Sequence, residues 1–427
     1  MINYHNPAVK KHLMEGNFGL EKESLRVTSK GNMAHTPHPF EDPHLVRDFC
    51  ENQTEINTDA YDSVQEALNA MKDLTAQIQI KLAEMGEYLW PFSNPSLIVN
   101  EEDIPVAHYE TGSDPQTYRE YLSMKYGRYR MTLSGIHYNF SFSDALLKAA
   151  FEDSGSEDFQ EFKNSLYLNM AWKIASKGWL INALICASPV VDGSFFEKSL
   201  IQNTYFTGVG SVRCSERGYW NFFVPIFDYS SLEAYIHSIE DYCHQGLIVQ
   251  PRELYYPIRL KPPGKNTLDN LRQNGVSHIE LRSIDLNPFV FEGMHLKDAQ
   301  FLHYFLVWLA CLPDQEPTDV EQMMAVQNFK NAAHYDLKAN KIVYGNENSE
   351  TVFDAAEKML AQIHAFYETI DPKALGAIEF QQAKLNNPRK KRYAWKVRNQ
   401  YGTNYVNKGL KLAAKRQQEA LHMKQEG

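Results

Sequence analysis

The chain of 427 residues is poor in cysteine. Its five cysteines, Cys50, Cys186, Cys214, Cys243 and Cys311, are scattered, odd in number and without a CxxC spacing. That excludes a disulfide framework and a zinc knuckle, and points to reduced thiols in a cytoplasmic compartment. Long apolar runs are missing too. "WLINALICASPVV" and "YFLVWLACL" are too short to span a bilayer, and Asn182 interrupts the first, so both read as buried helices. The opening "MINYHNPAVKKHLMEG" has no apolar h-region, so no secretory signal is expected. Positive charge is in deficit: the net charge of -10 argues against nucleic acid or an anionic membrane as partner of the whole surface. There is no internal repeat, no low-complexity segment and no Gly-rich phosphate loop after a strand-like piece.

What is present is a 43% hydrophobic composition, enough to bury a large core in one big domain or two ordinary ones. From Ser63 to Met85 the residues Val64, Leu68, Met71, Leu74, Ile78, Leu82 and Met85 recur at helical steps, and Ser63 with Glu66 forms a capping-box signature. Further helices are expected over about Gln160–Ala187, Lys297–Leu312 and Glu350–Ile370. Strand-like pieces lie at Gly19–Val27, Tyr129–Phe142, Val209–Arg213, Leu254–Leu260 and His278–Leu286. Strands and helices do not alternate strictly, so the expected fold is α+β, a mainly antiparallel sheet with helices on its outer face. From Lys384 to Lys424 twelve basic residues stand against Glu419 alone. That pattern reads as helix packed on the acidic body, or lining a nucleotide entry, ahead of RNA binding. The expected division is a catalytic domain over 1–375 and a basic helical extension over 376–427 packed on it.

Within "FGLEKESLRV", strand alternation puts Glu21 and Glu23 on one face and Leu20, Lys22 and Ser24 on the other. Two carboxylates roughly 4 to 7 Å apart repel by a few kcal/mol unless a cation or a proton lies between them. A single such pair reads first as a solvated strand face; the other segments supply the context. In "SGIHYNFSF" the residues Ile136, Tyr138, Phe140 and Phe142 share one face, and His137, Asn139 and Ser141 the other. In "HIELRSIDLNPF" Glu280 and Arg282 share a face, and "RDFCENQTEIN" adds Asp48, Glu51 and Glu55. Carboxylates with one imidazole and no thiolate suit hard divalent cations, Mg²⁺ or Mn²⁺, better than structural zinc. Arg213, Arg259 and Arg282 offer forked donors for carboxylate or phosphoryl oxygens. Acids for metals and arginines for anions are the equipment of phosphoryl transfer from a metal nucleotide.

"FGLEKESLRV", "YLWPFSNPS", "YREYLSMKYG", "SGIHYNFSF", "ELYYPIRLK" and "IELRSIDLNPF", in this order, resemble bacterial glutamate-cysteine ligases, from about residue 16 to 312. The likeness is to the gammaproteobacterial class and to the ligase half of bifunctional glutathione-synthesising enzymes. It implies a glutamine-synthetase-like fold, a curved antiparallel sheet forming an active-site trough. It also implies Glu21, Glu23, Asp48, Glu55, His137 and Glu280 as ligands of Mg²⁺, with Mn²⁺ possible, and ATP as co-substrate. Arg282 would meet the γ-phosphoryl group, with Glu280 and Glu21 the other catalytic residues. Tyr118, Arg213, Tyr219 and Tyr255 would line the acceptor pocket, and Gly135 and Ile136 would approach glutamate through their backbone. The implied reaction joins the γ-carboxylate of glutamate to the amine of cysteine through a γ-glutamyl phosphate.

Against the family pattern "TDFSE" this chain reads "RDFCE", with Arg47 and Cys50; "INTDA" follows Glu55, and Asn94 stands in "PFSNPS". The chain is shorter than the gammaproteobacterial enzymes after Leu312 and carries no ATP-grasp module, so glutathione synthesis by it alone is not expected. Two alternatives remain: a γ-glutamyl ligase for another amine, or a non-catalytic relative that binds glutamate or nucleotide. The expected partners are small molecules, with no nucleic acid and no membrane, and the expected state is a monomer or weak homo-oligomer.

Overall fold

The computed structural model describes residues 1–110, 112–196, 200–345 and 348–426. Among the described residues its strands are β1 (Gly16–Thr28), β2 (Leu45–Arg47), β3 (Gln53–Asn57), β4 (Glu87–Leu89), β5 (Ile136–Phe142), β6 (Val190–Asp192), β7 (Thr204–Phe206), β8 (Ile258–Lys261), β9 (His278–Ile284), and the separate antiparallel pair β10 (Lys341–Val343) and β11 (Ser349–Thr351). Seven of them form one sheet in the order β2-β3-β1-β5-β9-β8, with β4 added to the far end of β1. Every pairing in it is antiparallel, and β6 pairs with β7 separately. The expected α+β architecture, with helices on one face of an antiparallel sheet, is what the chain adopts.

Alternation along the strands decides the two faces. Leu20, Tyr138, Phe140, Ile279 and Leu281 are buried in the main core with Leu302, Phe305 and Leu306 of helix Leu296–Cys311. Helix Val64–Met85 lies on the same side, where Lys22 from β1 donates to Thr75 Oγ1 at 2.6 Å. That helix starts where Ser63 Oγ accepts from the Glu66 N–H at 3.2 Å. The Glu66 carboxylate takes the Ser63 hydroxyl at 2.7 Å, so the reciprocal bond goes to the side chain instead of the backbone.

Three sequence expectations are corrected. The segment Tyr129–Phe142 is not one strand: Arg128–Met131 is a helical turn, and β5 begins at Ile136 after the Ser134–Gly135 pair. Val209–Arg213 alternates like a strand but makes only isolated bridges, Val209 to His334 and Ser211 to Ser188. Its Ser211 hydroxyl donates to the buried Asp285 carboxylate at 2.9 Å, so side chains replace a ladder. The helix expected over 160–187 is two, Phe159–Lys177 and Trp179–Ile185, broken at Gly178, where a β-carbon would sit 2.5 Å from the Ile174 carbonyl.

A second core joins remote parts of the chain. Leu25, Trp90, Phe92, Tyr118 and Tyr126 pack with Val397, Tyr401, Tyr405 and Val406. Three basic side chains of the segment are thereby internal, while most of the others stay exposed. Lys384 Nζ donates to Asp298 at 2.5 Å, Arg392 Nε to the Ala183 carbonyl at 2.9 Å, and Arg416 to the carbonyls of Pro288 and Val290. Among the described residues no helix is long and apolar enough to cross a membrane.

Candidate active site

The face of the sheet opposite the main core floors a cavity of about 260 Å³. Register brings its residues together. Glu23 stands opposite Glu55, Glu21 opposite His137, Asn139 opposite Glu280, and Glu280 opposite Arg259. Directly opposed side chains have β-carbons about 5 Å apart, so these pairs form one continuous polar surface across five strands. Between β5 and β9 the pairing slips: two steps from Ile136 to Tyr138 face three from Ile284 to Leu281. The extra residue on β9 falls at Arg282–Ser283, and bulges of this kind re-aim a side chain at a site.

At the centre, ligand atoms of Glu21, His137 and Glu280 all lie within 4.8 Å of one another. His137 Nδ1 is 2.7 Å from Glu21 Oε2 and 3.2 Å from Glu280 Oε1, and its Nε2 is 3.7 Å from Glu23 Oε1. Burial and the Arg282 charge act to lower the His137 pKa, but the hydrogen bonds to Glu21 and Glu280 prevail and raise it to about 9. Burial works against ionised Glu280 as well, yet Arg282, donating at 2.9 Å, and His137 hold its carboxyl well below the ordinary range. On the β3 side the balance reverses. Burial, then the charges of Asp48, Glu21 and Glu23, push Glu55 well up, and burial pushes Glu23 up.

This set fits a hard divalent cation. It comprises carboxylates and one imidazole, no thiolate, and its acid-rich side is short of positive charge. The buried oxygen Asn139 Oδ1 has no hydrogen-bond donor, and Glu280 Oε2 has only the loose ion pairs to Lys261 at 3.4 Å and Arg259 at 3.8 Å.

All six residues expected as metal ligands, with Arg282, Tyr118, Tyr219 and Tyr255, line the same cavity. Arg213 lies just behind, at 3.3 Å from His137 Nε2, in a smaller adjoining cavity of about 50 Å³ that also touches Tyr219, Tyr255 and Arg282. Gly135 and Ile136 line neither. Both backbone groups of Gly135 are taken by Glu23: its N–H donates to Glu23 Oε2 at 3.0 Å and its carbonyl accepts the Glu23 N–H at 3.0 Å. What Gly135 contributes is space, since a β-carbon there would fall 2.4 Å from the Arg213 guanidinium. Ile136 is fully buried, paired with Lys22 and Ile284. Glu51 is held outside the site, accepting from the His38 and His108 N–H groups and pairing with Arg47 at 2.9 Å. Arg47 and Arg119 each lie 4.5 Å from the Tyr109 ring centre, which gives the Arg47 guanidinium an aromatic partner outside the site. Asn94 donates to the Ser188 and Val190 carbonyls, a structural role.

The cavity contains three cations beyond those anticipated. Lys261 is 3.4 Å from Glu280 Oε2, and strand alternation from Arg259 in "PIRLK" is the signal that marks it. Arg119, donating twice to the Asp48 carbonyl, and Arg252, 4.0 Å over the Tyr118 ring, come from a helix and a turn and leave no periodic trace.

Residues 2–247 and 242–332 match the profile of the glutamate-cysteine ligase family. Over 403 residues the chain is 36% identical to the glutathione biosynthesis bifunctional protein GshAB of Listeria welshimeri, covering 90% of this chain and 52% of that protein. The solved bifunctional glutathione synthetase from Pasteurella multocida superposes with a TM-score of 0.83 at 28% identity, over 97% of this chain and 54% of that one. A glutamate-cysteine ligase from Francisella tularensis, solved in complex with AMP, shares the fold with a TM-score of 0.84 at 22% identity, over 95% of this chain and 89% of that one. The chain spans about half the length of the curated relatives it matches. On the profile match and the identity to these relatives, this chain belongs to the glutamate-cysteine ligase family.

Proposed function

We propose that the chain joins the γ-carboxylate of L-glutamate to the amino group of L-cysteine, with ATP converted to ADP and phosphate. The observation that carries this reading is the convergence, on one cavity, of an acid cluster and of arginines at its border. Glu21, Glu23, Asp48, Glu55, His137 and Glu280 would hold Mg²⁺, or Mn²⁺, which when bound neutralises the nucleotide's phosphate charge.

A γ-carboxylate oxygen of glutamate attacks the γ-phosphorus, the bond to the β-phosphate oxygen breaks, and ADP leaves. Arg282, fixed by Glu280, faces the transferring group and matches its growing charge with a planar fork. The amine of the acceptor then attacks the acyl carbon, phosphate departs and the amine's surplus proton is lost. Arg213 with Tyr118, Tyr219 and Tyr255 receives the acceptor, and Gly135 keeps the room Arg213 needs. No enzyme nucleophile is required. We assign the catalytic domain to residues 1–375, with 376–427 as its helical buttress, in a cytoplasmic enzyme of small-molecule substrates.

The test is ADP release from the purified protein with glutamate and Mg²⁺, across a panel of amino acids and amines. Release that requires both glutamate and cysteine is expected. Release without an amine, or with cysteamine preferred to cysteine, overturns the cysteine assignment.

A further inference from the structure

Three elements carry the aromatic wall of the acceptor side. Tyr118 is on helix Asp114–Tyr126, Tyr219 on the loop after Arg213, and Tyr255 on the segment leading into β8. One buried carboxylate that touches neither cavity connects them. Glu253, fully buried, accepts from Tyr121 Oη at 3.2 Å, Lys125 Nζ at 2.5 Å and Tyr126 Oη at 2.8 Å, all on the Tyr118 helix. Its other oxygen accepts the Val249 N–H at 2.8 Å.

The link to the remaining two tyrosines runs through Asn221. Asn221 Nδ2 donates to the Glu253 carbonyl at 2.9 Å and to Tyr126 Oη at 3.1 Å, while its Oδ1 accepts the Tyr255 N–H at 2.8 Å. The rings then meet edge to face: Tyr126 with Tyr255 at 5.3 Å, Tyr219 with Tyr255 at 4.8 Å. Arg252, the neighbour of Glu253 in the chain, is set over the Tyr118 ring at 4.0 Å.

We propose that Glu253 is a positioning residue that fixes the three tyrosines relative to one another and so sets the affinity for the amine acceptor. It does so without contacting any substrate. The inference rests on the ligase reading above, in which these tyrosines receive the amine. The physical reason is that a buried carboxylate with four donors, one of them cationic, tolerates no loose geometry. Glu253→Gln keeps the shape but presents an amide N–H to one of those donors, so either the Val249 turn or the Tyr118 helix must move. The glutamate and phosphoryl side is anchored separately, on β1, β5 and β9, and should not follow.

The experiment compares wild type and Glu253→Gln in two assays: steady-state kinetics with L-cysteine or thiol-free L-2-aminobutyrate as acceptor, and exchange of labelled oxygen within ATP when glutamate is present and amine absent. The expected result is an acceptor KM raised about tenfold, with glutamate KM and the exchange rate within twofold of wild type. An unchanged acceptor KM overturns the proposal. So does a parallel rise in the KM of glutamate, or a loss of the exchange reaction, because either marks a general structural role. If Glu253→Gln does not fold, Tyr126→Phe and Asn221→Ala carry the same comparison, with a smaller rise expected in the acceptor KM alone. Wild type without glutamate- and amine-dependent ADP release removes the ligase reading itself; wild type active and Glu253→Gln unaltered removes only the role of Glu253.

Discussion

At the scale of single residues, Arg282 in the main cavity and Arg213 in the adjoining one differ in role, and their loss should appear in different constants. Arg282 pairs with Glu280 at 2.9 Å. Arg282→Lys keeps the charge and loses the fork, so kcat is expected to fall by about 10². Arg213→Ala should instead raise the KM of the amine by about 2 kcal/mol, roughly thirtyfold, with kcat little changed. Steady-state kinetics with both substrates varied checks both outcomes. Gly135→Ala is expected to resemble Arg213→Ala, because the new methyl would fall 2.4 Å from the buried Arg213 guanidinium and displace it. Thermal unfolding unchanged alongside the raised KM would distinguish displacement from misfolding.

A second residue-scale prediction concerns acid stability. His303, 8% exposed, sits among Phe18, Phe140 and Tyr304, and burial alone lowers its pKa from 6.5 to about 3. The unfolded chain therefore takes up a proton below pH 6.5 that the folded chain refuses. Stability is full above that pH and falls as pH drops toward 3. In His303→Phe this contribution disappears. Its unfolding free energy should gain on wild type by up to about 1.4 kcal/mol per pH unit through that window, read from urea titrations at successive pH values.

At the scale of elements, the alternation of β1, β5 and β9 was legible because one face is mainly apolar, Lys22 and Ser24 excepted, and the other holds charge, and a strand keeps that distinction at period two. His137 and Glu280 could be assigned to the polar face for that reason. The loop Val209–Arg213 was not legible, since Val209, Ser211 and Arg213 alternate as a strand would while Asp285, far along the chain, takes the Ser211 hydroxyl. Helix Tyr405–Glu426 shows the same limit. Its packing on the body was expected, but not which residues do it: Gly409 packs on Trp90 and Arg416 is buried. A β-carbon at 409 would lie 2.2 Å from the Trp90 ring, which is itself pinned by its Nε1 bond to the Asn94 carbonyl at 2.8 Å. Gly409→Val should therefore lower stability by about 1 to 3 kcal/mol, with kinetic constants preserved. A melting temperature equal to that of wild type would contradict this packing.

At the scale of the whole molecule, the acid cluster links stability to cation binding. Burial and mutual repulsion oppose ionisation of Glu23 and Glu55, so a divalent cation that binds only the folded cluster should raise the melting temperature. At a hundredfold excess over Kd the gain is about 2.7 kcal/mol. Glu21→Gln and Glu280→Gln should lose most of it, and calorimetry with Mg²⁺ or Mn²⁺ in the absence of nucleotide measures the difference. An identical Mg²⁺ response in wild type and both variants would place the cation elsewhere.

The second core also bears on how the protein is made. Trp90, Phe92 and Tyr126 find part of their apolar cover in Val397, Tyr401, Tyr405 and Val406. On the ribosome those covering residues emerge long after the ones they cover, while domains in general form as soon as their parts are available. The nascent chain therefore carries an open aromatic surface through the synthesis of more than half its length. During that interval these rings lack that part of their cover, and a chain stopped before residue 397 is expected to leave them open to dye binding.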